Sequence, residues 1–142
     1  MGLHREVLAL AEASEVDALV AMLSDDDQRR REAAAVALGA SGSSKAVEVL
    51  ILTAFGSDPR TASAAAIGLS LTGSERAVEP LSHLLMACPL PRGTRNSAAV
   101  ALEQLNAVDA LQTVVRHPTT PAGNRRSAQR SVKRLSRHVS RS

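Results

Sequence analysis

Arginines are the residues of this chain whose type and spacing come nearest to chemistry. Arg31 and Arg95 take equivalent places in an underlying repeat, Ala62 interrupts the row, and Arg125 or Arg126 follows one unit later. The row runs on into Arg130, Lys133, Arg134, Arg137 and Arg141, and the last 22 residues hold no acid. A guanidinium presents a planar fork of donors suited to carboxylates and phosphates. Placed along the inner side of a helical stack, such groups predict a ladder that grips an acidic partner. Their field mainly speeds encounter and makes binding sensitive to salt. Arg31, Arg95, Arg125, Arg126, Arg130, Lys133 and Arg134 are therefore the candidate partner-binding residues.

The basic end has a second use. The last unit of a stacked protein must present a polar outer face, so these charges also suit a solvated cap. Seven cations without an acid are more than capping requires. Nucleic acid is a further option, but Phe55 is the only aromatic residue in the chain. Without stacking platforms, contact with nucleic acid would be electrostatic and unspecific.

Other chemistry is thinly represented. Cys88 and His83 could in principle pair as nucleophile and base, yet a lone cysteine beside Pro89 and Pro91 is more simply inert. His4, His83, His117 and His138 lack the i, i+4 spacing of a helical ligand pair. A single cysteine excludes an internal disulfide and a multi-cysteine zinc site. The expectation is a protein without catalytic residues, metal or cofactor.

The elements that position the arginines repeat. Val16-Asp17-Ala18-Leu19, Val47-Glu48-Val49-Leu50, Val78-Glu79-Pro80-Leu81 and Val108-Asp109-Ala110-Leu111 follow one another at steps of 31, 31 and 30 residues. A period of this length means stacked units, each too small to bury its own apolar face. Each phrase sits early in a helix A, and a helix B follows. In the first unit Ser14 caps helix A, and Asp25, Asp26 and Asp27 open a helix B that ends near Gly39 or Gly42. Asp58 and Pro59 open the next helix B, as cap and first helical residue. Pro80 falls inside the third phrase, so its regular helix is expected to begin near Val78 or Pro80, after a tighter turn from Ser74. Residues 88–93 lengthen the third A–B connection by two residues. A half unit covers residues 1–13, and full units cover about 14–42, 43–73, 74–106 and 107–139. The last contains a basic helix over about 123–139. The sum is a single all-α domain over 1–142, a right-handed α/α superhelix of about four and a half helix pairs and nine helices. Leu3, Val7 and Leu10 are expected to pack on the first unit, with any residual face open to self-association.

Composition agrees with close helix packing. The chain has 142 residues and 25 alanines, and small side chains let helix axes approach. The net charge of +3 hides a gradient: residues 1–60 carry −4, residues 61–120 are neutral, and residues 121–142 carry +7. Charged residues interrupt the N-terminal apolar stretch, so no signal peptide is expected. The longest apolar run, about seven residues, is far short of the ~20 needed to span a bilayer. A soluble cytoplasmic protein is expected.

Ser74-Glu75-Arg76-Ala77-Val78-Glu79-Pro80-Leu81 and Arg31-Glu32-Ala33-Ala34-Ala35-Val36-Ala37-Leu38-Gly39 carry a family resemblance. The chain resembles HEAT-like repeats in the short bacterial form also found in phycobilin lyase subunits, over about residues 14–116. The resemblance implies a scaffold that binds other proteins. It also implies a structural use for the arginine row, because such units place an acid before helix B and an arginine within it; Asp27 and Arg31 would form that pair. Some relatives bind metal through His-Glu dipeptides, which this chain lacks. The combined expectation is a non-catalytic adaptor or regulatory scaffold for a protein with an acidic surface. The alternatives are nucleic-acid binding through the last helix and an accessory subunit of a lyase-type modifying enzyme.

Overall fold

The computed structural model describes residues 3, 5 and 16–141, with side chains as far as residue 138. The half unit and the Ser14 cap expected at the N-terminus thus lie outside the described residues, apart from the exposed Arg5 and from Leu3, which packs against the core. Among the described residues there are eight α-helices: α1 Val16–Met22, α2 Gln28–Ala40, α3 Ser44–Ala54, α4 Pro59–Thr72, α5 Val78–Ala87, α6 Arg92–Gln104, α7 Val108–Arg116 and α8 Ala122–Arg141. A 3₁₀ turn, Glu75–Ala77, precedes α5. Strands are absent from the described residues.

Capping residues place these ends. Asp27 and Asp58 are the N-caps of α2 and α4, and their carboxylates accept from the N–H groups of Arg29 and Arg60. Pro59 opens α4, where its missing N–H costs no hydrogen bond. Ser74 caps the 3₁₀ turn, which delays α5 until Val78 and leaves Pro80 in the first helical turn. Gly73 closes α4 at φ 64°, a conformation that favours glycine. The first helix B, α2, ends at Ala40, between Gly39 and Gly42 as expected, with Gly39 buried as its penultimate residue. The two extra residues of the third unit land elsewhere: they lengthen α5, and the connection to α6 is no longer than that between α3 and α4.

The four leucines of the repeated phrase, Leu19, Leu50, Leu81 and Leu111, are fully buried at equivalent places. They meet leucines of the B helices, Leu38, Leu69 and Leu102, over a floor of alanines. Successive B helices (α2, α4, α6, α8) pack extensively, whereas successive A helices (α1, α3, α5, α7) touch more lightly. The stack therefore curves with the B helices on its inner side. The period also reappears as hydrogen bonds across B helices between residues 31 apart: Ser63 with Thr94 at 3.1 Å and Ser127 with Asn96 at 2.7 Å.

Candidate functional site

Helical geometry divides each B helix into faces that can be followed by counting from its first residue. The fourth residues are Arg31, Ala62, Arg95 and Arg125. Arg125, not Arg126, thus continues the row. The face they occupy also carries the buried Ala34 and Leu38 of α2, so it points at the core side and not at the inner surface of the stack. The guanidinium groups turn toward the connection ahead of their own helix. Arg31 Nη1 donates to the carbonyls of Asp25 at 2.7 Å and Asp26 at 3.1 Å. Arg95 Nη1 donates to Leu90 O at 3.2 Å, and Arg125 Nη2 to His117 O at 3.0 Å and Thr120 O at 3.1 Å. In these three units the arginine ties down its own A–B connection.

The acid–arginine pairing also differs from expectation. Arg31 meets not Asp27 but Asp58 of the next unit, through Nε at 3.3 Å and Nη2 at 3.2 Å. Asp58 is held at three points. It caps α4, accepts from the Thr61 hydroxyl at 2.5 Å, and faces Arg31. The Thr61 hydroxyl is the main reason its carboxyl lies below the ordinary aspartate pKa; Arg31 and the N–H groups of Arg60 and Thr61 add to this against some desolvation.

The third residues of α4, α6 and α8 form a buried polar row that the charge pattern did not reveal. Thr61, Thr94 and Asn124 are all buried. Asn124 spans two units: its Nδ2 donates to Leu85 O at 2.9 Å and Cys88 O at 2.8 Å, and its Oδ1 accepts from Leu90 N at 3.3 Å. This one side chain fastens the end of α5 and the Cys88 connection to α8. A lone polar residue among arginines, Asn124 stands out in sequence only once the helix start is known.

The remaining sequence candidates gather on α8. Arg126, Arg130, Lys133 and Arg134 are exposed on this helix. Arg130 donates to the neutral oxygens of Asn96 and Ser127, both at 3.2 Å. Arg134 is paired with Glu103 of α6 at 2.8 Å. Arg126 and Lys133 occupy the flank by which a B helix meets its successor. In the earlier helices that flank holds alanine at the eighth residue: Ala35, Ala66 and Ala99, all buried. In α8 the eighth residue is the exposed Gln129, set between Arg126 and Lys133. This flank of α8 is therefore a cationic edge where the earlier B helices present alanine.

Other chemistry stays dispersed. Cys88 is exposed, and the His83 ring lies 6.4 Å from that of Phe55. Among the described residues no three His, Cys, Asp or Glu side chains converge as a metal set. No described helix is long and apolar enough to cross a membrane.

Comparison with known proteins agrees with this geometry. No curated protein matches the sequence significantly. Among solved structures the chain is similar to one in the complex of CpcE and CpcF of phycocyanin lyase from Nostoc sp. PCC7120, with a TM-score of 0.65 and 25% identity. The match covers 94% of this chain but 59% of that one, so the chain spans well under two thirds of its neighbour's length. The family model for HEAT repeats matches residues 16–103. With its buried phrase leucines and stacked B helices, the chain belongs to the HEAT-repeat family.

Proposed function

We propose that this HEAT-repeat chain is a non-catalytic adaptor that holds another protein, with the cationic edge of α8 contacting an acidic patch on it. The observation that carries this reading is the exposed Gln129, set between Arg126 and Lys133 at the place where the earlier B helices hold a buried alanine. The exposed charges of α8 are placed for encounter with a negative surface. Arg31, Arg95 and Arg125 support that surface from behind, by holding the A–B connections in place. The test is co-purification with mass spectrometry, comparing the native chain with Arg126→Glu/Lys133→Glu. One stoichiometric protein, lost from the reversed variant, is the expected result. Nucleic acid that salt removes would favour nucleic-acid binding through α8 instead.

An accessory role in a lyase-type enzyme is the second reading. It is favoured by the likeness to a chain of the CpcE and CpcF complex, itself an assembly of two proteins. Recovery of a second HEAT-like chain as the partner would support it over a general adaptor.

A further inference from the structure

The outer side of the stack carries a ladder of ion pairs that stops after two rungs. Lys45 stands two residues ahead of the second repeated phrase and meets Asp17 of the first at 2.5 Å. Arg76 stands two residues ahead of the third phrase and pairs with Glu48 of the second. The same place ahead of the fourth phrase is held by Asn106, which carries no charge. Glu79 of the third phrase, which lines one cleft with Asn106, therefore has no cation among the described residues. Glu75 and Asp109 line that cleft too, and neither forms an ion pair among the described residues. An acid in the first turn suits the helix dipole, which accounts for Glu79 in α5 and Asp109 in α7. It does not account for three carboxylates gathered at one cleft with no cation in its lining.

The cleft shares Glu75, Val78, Glu79 and Ala110 with a groove of about 920 Å³, which opens because successive A helices touch only lightly. The floor of this groove is apolar, formed by Ile51, Phe55, Val78, Met86 and Ala110. Phe55, the only aromatic residue of the chain, is 46% exposed there, beside the exposed His83. Glu48 and Arg76 line the groove as a pair that cancels, whereas Glu75 and Glu79 are uncompensated. The groove thus joins an acidic end, at the first turns of the A helices, to an apolar end at their last turns.

We propose that this outer groove binds a segment of a partner protein that carries a Lys or Arg near a large apolar side chain. The cation meets Glu79 as Lys45 and Arg76 meet the acids of the earlier phrases, and the apolar group lies on Phe55 and Met86. This surface is separate from the cationic edge of α8 and opposite to it in charge, so the proposal goes beyond the adaptor reading and does not depend on it. Charge complementarity selects a basic segment, because a carboxylate here would face Glu75, Glu79 and Asp109 together. The α8 helix of a second copy has the charge but not the anchor: Ala128, Val132 and Leu135 are packed against its own core. Glu79 and Met86 are seven residues apart on α5, about 10.5 Å along its axis. Cation and anchor belong about that far apart, roughly three residues in an extended segment or seven in a helical one.

The probe is a displayed library of random peptides of about 16 residues. It is first depleted on the purified Glu79→Lys/Phe55→Asp chain and then panned on the native chain. Enriched sequences should pair Lys or Arg with a large apolar residue at one of those intervals. Their affinity should fall at least about tenfold on Glu79→Lys alone and on Phe55→Asp alone. It should also weaken with added salt. Arg126→Glu/Lys133→Glu should leave it unchanged, which separates this surface from the α8 edge. Glu79 and Phe55 are exposed, so circular dichroism should show both variants folded. Glu79→Gln, which removes only the charge, is the second reading should a lysine disturb the start of α5. An empty selection, or enriched peptides without a basic residue, would overturn the proposal. Either result would leave the adaptor reading standing if its partner still depends on Arg126 and Lys133. Self-association of the native chain that is lost in both Glu79→Lys and Arg126→Glu/Lys133→Glu would assign the acidic cleft to the α8 edge of a second copy and reject the foreign segment.

Discussion

Gly39 and Gly68 face each other across α2 and α4 so closely that neither tolerates a side chain. A Cβ on Gly39 would lie 2.1 Å from the Gly68 carbonyl oxygen, and one on Gly68 would lie 2.5 Å from the Ala35 carbonyl oxygen. Two opposing effects act on Gly68→Ala. Helix propensity favours alanine by about 1 kcal/mol. The overlap is with backbone, which no rotamer change relieves, so overpacking of about 1–3 kcal/mol wins. Urea unfolding should show net destabilisation. A neutral or stabilising result would mean that α2 and α4 can separate without cost.

Leu50 tests the same core by the opposite route. Its side chain is fully buried at the place that Leu81 occupies one unit later. Leu50→Ala should cost about 2–5 kcal/mol, depending on how far the alanine floor collapses into the cavity. A loss below about 1 kcal/mol in the same urea assay would contradict tight packing there.

Asp58 should make the stack sensitive to acid. Its pKa is depressed in the folded chain, first through the Thr61 hydroxyl. A depressed carboxyl contributes stability that is present above the unfolded value, near 3.9, and is lost as pH falls through the folded value. Asp58→Asn should therefore narrow the stability gap between pH 5 and pH 3. Asp58→Ala should cost about 1–2 kcal/mol at neutral pH through the lost cap alone. Thermal melts at both pH values check the sign. An unchanged acid dependence in Asp58→Asn would place the relevant carboxylates elsewhere.

Asn124 should act as a single-residue clasp. Asn124→Ala leaves the carbonyls of Leu85 and Cys88 and the N–H of Leu90 without this partner. Unsatisfied buried groups cost about 1–3 kcal/mol each, less where water can enter. The expected loss is roughly 2–3 kcal/mol. Hydrogen exchange should also quicken at Leu90 and along the Cys88 connection before it does in α4.

The stack was legible because burial imposes a period. Each Val-acid-x-Leu phrase buries its leucine at the same place in its unit, so Leu19, Leu50, Leu81 and Leu111 announce the repeat themselves. Caps such as Asp58 with Pro59 were equally local signals. The direction in which a polar side chain turns was not local. Arg31 and Arg95 align in sequence, but their face is set by the first residue of each helix, which Asp27 and Pro91 fix. A shift of one residue, about 100° around a helix, separates the inward Arg125 from the exposed Arg126. The apolar inner face was hidden for the same reason. Val36, Ile67 and Val100 read as core until the alanines beside them prove sufficient to fill it.

That one-residue shift gives a sharp test of which arginines bind and which hold the fold. Arg125 is half-buried and donates to His117 O and Thr120 O, so Arg125→Glu would set a carboxylate against two carbonyl oxygens. Loss of the two charge-assisted bonds, with repulsion added, should cost about 2–4 kcal/mol. Arg126 is exposed on the next face, and Lys133 lies two turns further along it. Exposed substitutions away from such contacts stay within about 0.5 kcal/mol, so Arg126→Glu/Lys133→Glu should melt like the native chain. Its capture of a partner should nevertheless fall, and more steeply at low salt, where the native edge has its longest reach. Parallel melting curves and pull-downs on the two variants separate the roles. Unfolding of the Arg126/Lys133 variant would make the cationic edge part of the fold. An Arg125→Glu chain of native stability would release that arginine from its clamp and return it to the binding surface.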